Sequence, residues 1–264
     1  MRIGVAATPD VRKGRIRSPQ GFPGADVIAT NLAAPSAPST LVVGTYPSPR
    51  DAVQNLILVR HGQAEHHLGG VTGGWTDLPL TDRGRADAAA TARFLAERSP
   101  FPLRSLLSSD LKRASQTAEI ISAAVGLPLE LSSSLRELNN GVAAERTTAD
   151  AKALELPRTQ PDLDWVPYPE AESWRMMYER VASFCAGLEA EGRDACVVVG
   201  HGHAMICLIN WFLGLTSDEN LTKLMYELRP CSISHLRADP DGSRRVVRLN
   251  DVSHLIAAQS ERRR

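Results

Sequence analysis

This chain of 264 residues lacks a net charge, a long apolar run and any pairing pattern among its cysteines. Thirty basic residues balance thirty acidic ones, so the overall charge carries no footprint of a nucleic-acid or membrane-surface binder. No apolar stretch approaches the roughly 18 residues that a bilayer-spanning helix requires. The four cysteines, Cys185, Cys196, Cys207 and Cys231, show no C-x-x-C spacing and sit among apolar neighbours. They read as reduced core residues of a cytoplasmic protein. No internal repeat is visible. With 43% hydrophobic and 23% charged residues, the composition is that of an ordinary globular protein holding one large or two small domains.

Residues 1–54 differ from the rest. They are rich in Pro, Gly, Ser and Ala, with breakers such as Phe22-Pro23-Gly24 and Tyr46-Pro47-Ser48-Pro49, and their apolar patches keep no period for long. The compact apolar centre of a secretory signal is absent, while the excess of basic residues would suit a transit peptide. The reading is a disordered N-terminal extension or a mis-assigned start codon, with Val53 a natural first residue of the folded part. The domain is expected over residues 55–255, followed by a flexible basic tail over 256–264.

From Asn55 onward, strand-like and helix-like segments alternate, which predicts an α/β fold with a mostly parallel sheet. Strands are expected at Leu56–Val59, Leu103–Leu107, Leu127–Leu131 and Ala195–Val199. A hairpin of Ile233–Arg237 and Arg244–Leu249 should close on Asp239-Pro240-Asp241-Gly242. Helices are expected from Thr81, as cap, to about Arg98, and from Asp110, as cap, to Val125 with Gly126 after it. Further helices are placed over Glu145–Leu156, Glu170–Glu191, Ala204–Leu213 and Ser217–Leu224. The proline-rich residues 157–169 should be loop.

Two of these strands end in chemistry. Leu56-Ile57-Leu58-Val59 runs into Arg60-His61-Gly62, and Ala195–Val199 runs into Gly200-His201-Gly202-His203. In a parallel sheet both histidines reach the carboxyl edge, where α/β proteins bind ligands. Arginine offers a planar fork of donors that matches phosphate. Histidine is a neutral nucleophile near pH 7. A third junction, Ser109-Asp110-Leu111-Lys112-Arg113, puts Arg113 in the first turn of a helix near that edge. Leu135-Arg136-Glu137 adds a carboxylate. Taken alone, Arg113 would equally pair with Asp110 or Glu119, and Glu137 with Arg136 or a helix start.

The ordered set Arg60-His61-Gly62, Thr76-Asp77-Leu78-Pro79-Leu80-Thr81 with Gly84, Ser109-Asp110-Leu111 with Arg113 and Gln116-Thr117-Ala118, Leu135-Arg136-Glu137, and Val199-Gly200-His201-Gly202 resembles the histidine phosphatase superfamily. The resemblance is to the branch that includes the cofactor-dependent phosphoglycerate mutases, and it covers roughly residues 55–255. It implies a three-layer α/β/α sandwich. It also implies a metal-independent phosphomonoester hydrolase of small phosphorylated substrates, with no cofactor and neither nucleic acid nor membrane as partner. On this resemblance His61 takes the phosphoryl group and Glu137 serves as proton donor and then acceptor. Arg60, Arg113, His201 and Gly202 hold the phosphoryl oxygens. A carboxyl that must start protonated predicts an acidic to near-neutral optimum.

The pattern departs in places. Ala64 stands where the family often has a hydroxyl, His67 where it often has Asn, and Gly73 where it often has Thr. His67 and Gly73 are therefore candidate substrate-pocket residues. Glu172 and Ser173 fit a helix start. Trp165 and Tyr168 would either line the pocket mouth or cover the Glu170–Glu191 helix. His66, His67 and His203 lack the i, i+4 spacing and the carboxylate partner of a zinc site. The short segment between Glu137 and His201 leaves little chain for a lid, which favours hydrolysis over mutase-type phosphotransfer. A non-catalytic phospholigand-binding member is the remaining alternative. Substrate identity and oligomeric state are not legible.

Overall fold

The computed structural model describes residues 53–261. Of the expected extension, residues 1–52 lie outside the described residues, as do Arg262, Arg263 and Arg264 of the tail. Six strands form one sheet: β1 (Asn55–Arg60), β2 (Ser105–Ser108), β3 (Leu129–Leu131), β4 (Cys196–Gly200), β5 (Ile233–Ala238) and β6 (Arg244–Asp251), in the order β3-β2-β4-β1-β5-β6. β1, β2, β3 and β4 run parallel, and the β5–β6 hairpin adds antiparallel at one edge.

The helices are α1 (His66–Gly69), α2 (Asp82–Arg98), α3 (Lys112–Val125), α4 (Thr148–Ala153), α5 (Trp174–Ala190), α6 (Gly202–Leu213), α7 (Asp218–Lys223) and α8 (Ser253–Glu261). Successive strand side chains point to opposite faces, which explains why the central strands are apolar throughout. Leu56, Leu58, Cys196 and Val198 pack with Val181, Cys185, Leu208 and Phe212 of α5 and α6. Ile57, Val59, Val197 and Val199 pack with Leu95, Ala114, Ala118 and Ile121 of α2 and α3. The result is the three-layer α/β/α sandwich, with all four cysteines unpaired and buried in its interior. No helix among the described residues is long and apolar enough to cross a membrane.

Four readings need correction. Helix α3 begins at Lys112 with Leu111, not Asp110, at the cap position. The Asp110 carboxylate instead holds the Arg136 fork at 2.7 and 2.6 Å. Helix α5 starts at Trp174, later than expected, because Ser173 caps it by accepting from the Met176 amide. Helix α4 is only Thr148–Ala153, capped by Thr147, shorter than the expected 145–156. Finally, residues 256–261 are helical rather than tail: Leu255 and Ala258, one turn apart on α8, are buried against Ala88 and Ala90 of α2.

Candidate active site

The parallel register of β1 and β4 pairs Arg60 with Gly200, and the His61 amide donates to the Gly200 carbonyl at 2.9 Å. The two following residues therefore leave the sheet at the same height. Their rings, His61 and His201, lie 5.1 Å apart between centroids. His61 is 2% exposed and His201 fully buried. Glycine is required beside His61 for a steric reason. A Cβ on Gly62 would stand 2.7 Å from the Gly84 carbonyl oxygen, and one on Gly84 would stand 2.0 Å from that of Gln63. The chain after β1 thus runs backbone to backbone with the start of α2.

The tautomer of His61 follows from its neighbours. Nδ1 lies 2.7 Å from the carbonyl oxygen of Gly62, which only accepts, so Nδ1 carries the proton. Nε2 accepts from Nε of Arg113 at 3.2 Å. Burial pushes the imidazole well below its ordinary pKa, and the neighbouring His201 and the cationic Arg113 and Arg60 reinforce the shift. The ring is therefore neutral, with its Nε2 lone pair facing a guanidinium. His201 is also held neutral, by burial first and by Arg113, and its Nε2 shares a hydrogen bond of 2.8 Å with the Ser109 hydroxyl.

Arg113 is 1% exposed and pinned. It donates from Nη1 to the Thr76 carbonyl and from Nη2 to the Gly74 carbonyl, both at 2.7 Å. Burial lowers its pKa to about 10, which leaves it charged at neutral pH. The Arg113 carbonyl accepts from the Thr117 hydroxyl, and that hydroxyl oxygen accepts from the Gly62 amide, tying α3 to the β1 loop. Arg60 donates from Nη1 to the Leu228 carbonyl at 2.5 Å. Its Nε and the Nδ1 of His201 are buried with no hydrogen-bond partner among the described residues. Gly202 lies between Arg60 and Glu137, with a Cβ position 3.9 Å from the guanidinium carbon and 3.8 Å from Oε2.

Glu137 sits at the head of α6. Its Oε1 accepts from the Leu138 amide at 2.9 Å, and its Oε2 from the His203 amide at 3.2 Å. Nδ1 of His203 is 3.4 Å from Oε1. Burial works to raise the carboxyl, but the hydrogen bond and charge of His203, with His201 and the Leu138 amide, hold it well below the ordinary carboxylate range. Glu137 is therefore ionised. His203 is correspondingly raised, first by that hydrogen bond.

All the expected site residues are brought together, with different parts for two of them. His67 stacks on His61 at 5.6 Å while its Nδ1 accepts from the Ala64 amide. Gly73 faces the His66 ring: a Cβ placed on it would stand 3.7 Å from the ring's Cδ2. Trp165 is not at the cluster: its indole donates to the Pro157 carbonyl and its ring faces Arg158. Two other tryptophans are there, neither of them expected at the site: Trp75 ends the glycine-rich loop and Trp174 begins α5. Trp75 donates to the Glu137 carbonyl at 2.8 Å, and Trp174 meets the His203 ring edge-on at 5.3 Å. The view that His203 lacks a carboxylate partner is corrected by Glu137. Glu172 pairs with Arg180 at 2.7 Å. Among the described residues no three His, Cys, Asp or Glu side chains converge to hold a metal ion.

Because α5 starts late, residues 138–173 remain outside it. They pack on the glycine-rich loop, where Thr72 and Thr76 bond to residues 143–146 and Asn140 binds the Trp75 amide. The segment is thus fixed along one side of the site, more chain than the lid argument allowed.

An α/β sandwich presenting two neutral imidazoles, two guanidinia and a carboxylate at the carboxyl edge of its sheet defines the class of protein. The chain belongs to the histidine phosphatase superfamily, whose branch 1 matches residues 56–252. It is 33% identical over 212 residues to a probable phosphoglycerate mutase, GpmB, of Salmonella arizonae, covering 76% of this chain and 94% of that one. It is 31% identical over 169 residues to 6-phosphofructo-2-kinase/fructose-2,6-bisphosphatase 3 of Bos taurus. That match covers 63% of this chain but only 35% of the relative, so the chain spans about a third of that protein's length. Among solved structures, a mycobacterial glucosyl-3-phosphoglycerate phosphatase superposes with a TM-score of 0.61 at 26% identity, covering 75% of this chain and 99% of that one.

Proposed function

We propose that this chain is a metal-independent phosphomonoester hydrolase working through a phosphohistidine on His61. The observation that carries the reading is the state of that ring: neutral, its Nδ1 proton engaged by Gly62 and its Nε2 lone pair beside Arg113. Nε2 attacks phosphorus as the bond to the leaving oxygen breaks, and one difficult displacement becomes two. Arg113 and the unspent donor of Arg60 face the phosphoryl oxygens, with His201 and the start of α6 at Gly202 completing the cradle. Glu137 passes a proton to the leaving oxygen and later takes one from the attacking water.

The relatives' names support a small phosphorylated substrate, since they include a fructose bisphosphatase and a glucosyl-3-phosphoglycerate phosphatase. Hydrolysis is favoured over transfer because His67 and His203, which flank the nucleophile and the carboxylate, are exposed and let water reach the rim. The GpmB relative keeps the mutase reading as the alternative. If 3-phosphoglycerate is isomerised faster than it is hydrolysed, that alternative replaces ours.

The deciding experiment measures phosphate release from p-nitrophenyl phosphate near pH 6 with EDTA present. The native protein should turn over, and His61→Ala should lose essentially all activity. Vanadate binding without hydrolysis of any monoester would make the chain a phospholigand-binding protein instead.

A further inference from the structure

Glu137 poses a problem for any scheme in which it begins as an acid. Its carboxylate accepts the Leu138 and His203 amides and faces the His203 ring, and all three partners favour the anion. The second of these amides belongs to the first turn of α6, where a negative charge is further stabilised. The proton it must deliver has to be stored nearby. We propose that His203 stores it, so that Glu137 and His203 act as one acid–base pair, Glu137 facing the substrate and His203 facing solvent. This rests on the hydrolase reading above and adds a residue to it.

The geometry supplies both halves. His203 lies in the first turn of α6, two residues after His201 at its cap position, and its ring meets Glu137 with Nδ1 3.4 Å from Oε1. Trp174 of α5 braces the ring edge-on. The Glu137 side chain is only 14% exposed, whereas that of His203 is 47% exposed, so the pair exchanges protons with bulk water through the histidine. Other titratable groups face Glu137 from the neighbouring elements: the charged Arg60 from β1 and Arg113 from α3, and the neutral His66 from α1 and His201 at the head of α6. Arg180 of α5 reaches the Glu137 main-chain carbonyl at 3.4 Å. Of the histidines in this group, His61, His66, His67 and His201 are held neutral, and His203 alone is shifted towards the charged form.

The steps balance. An arriving phosphate dianion raises the proton affinity of the Glu137 carboxylate by like-charge repulsion. The Nδ1–H bond of His203 breaks and an O–H bond forms on Oε1. That proton then moves to the leaving oxygen as the P–O bond breaks and the bond from phosphorus to His61 Nε2 forms. In the second step the Glu137 carboxylate takes a proton from water as the water oxygen attacks phosphorus. The P–N bond breaks, and the proton returns to His203. His203 never touches substrate; it is a positioning residue that acts through Glu137.

The test compares p-nitrophenyl phosphate, whose leaving group departs without protonation, with an alkyl monoester, whose alkoxide does not. Full-length native protein, His203→Ala and His203→Asn are assayed across pH, with thermal melts to establish folding. Asparagine keeps an N–H where Nδ1 stands but has no proton to give. Under the proposal both variants raise the aryl-to-alkyl ratio of kcat by on the order of tenfold or more. The native alkaline fall in alkyl turnover should also disappear from them. If His203→Asn keeps the native ratio and the native alkaline limb, the role is merely structural and the proposal is overturned. Native protein that hydrolyses neither ester overturns the hydrolase reading itself, a distinguishable result. Should a variant fail to fold, imidazole NMR decides: the His203 midpoint must lie above the ordinary histidine value and fall in Glu137→Gln. A midpoint unmoved by that substitution overturns the pair.

Discussion

Arg113 shows how one side chain organises the site. Its guanidinium is buried, yet each of its three nitrogens is held: Thr76 and Gly74 carbonyls take one N–H from each end, and Nε meets His61 Nε2, which leaves two N–H donors for an incoming oxyanion. A fixed fork has no reorganisation to undergo when charge develops on a phosphoryl group. Lysine offers a single point charge and reaches one of these acceptors, leaving loop carbonyls buried without a donor. Arg113→Lys should therefore lower kcat/KM by on the order of 10²- to 10³-fold. It should also reduce stability by roughly 1–3 kcal/mol. Steady-state kinetics and urea melts on the same preparation measure both, and a lysine variant with native kinetics would remove Arg113 from the site. His203 was misjudged at this same scale. An H-x-H repeat in a sequence says nothing about a carboxylate 66 residues upstream, and only the fold brings Glu137 to the head of α6.

Helix α3 makes the corresponding point for elements. Its existence and its end are local properties, legible in the glycine that stops it, and Gly126 does take up the left-handed conformation, with φ of 72°. Its start is not local. Asp110 is a good cap residue by type, but its carboxylate is drawn off by Arg136, and Asp77 caps the helix from another loop, accepting the Lys112 amide at 2.7 Å. Asp77→Ala should cost about 1 kcal/mol, the usual worth of a cap. Because Arg113 rides in the next position, it should also weaken phosphate or vanadate binding, read by calorimetry. If stability drops and binding does not, the cap and the site are uncoupled. Two helices with caps in their own sequence were read closely, α2 from Thr81, which accepts the Gly84 amide, and α7 from Ser217, whereas α4 and α5 were started too early although Thr147 and Ser173 cap them locally. Central strands were equally legible because both faces are buried. Helix α1 was not seen at all, since its four residues bury none of their number and leave no periodic apolar signal.

At the scale of the whole molecule, the site is an acid liability that the core has to carry. Of seven histidines, His61, His66, His67, His201, His235 and His254 all have their pKa lowered in the fold, with burial the main cause. His66 reaches about 3. An unfolded chain protonates these groups near 6.5, so below that pH it binds more protons than the folded protein, and stability falls as pH falls. Each fully protected group contributes a slope of about 1.4 kcal/mol per pH unit. The buried pair His61 and His201 alone gives roughly 3 kcal/mol per unit, a large share of the 5–15 kcal/mol typical of a domain. His203 runs the other way: its raised value adds stability below 6.5 that is lost as pH rises through its folded pKa. The acidic to near-neutral optimum expected from the sequence would, under the proposals above, be bounded by unfolding on the acid side and by loss of the stored proton on the alkaline side. Thermal melts from pH 7.5 to 5 should show Tm falling steeply below about 6.5. Inorganic phosphate should restore part of the loss, because an anion among Arg60, Arg113 and His201 binds only the folded state and offsets the charge these histidines would acquire. A Tm that stays level from pH 7.5 to 5, with or without phosphate, would mean that these imidazoles are not the buried neutral set that the proposed phosphohistidine chemistry requires.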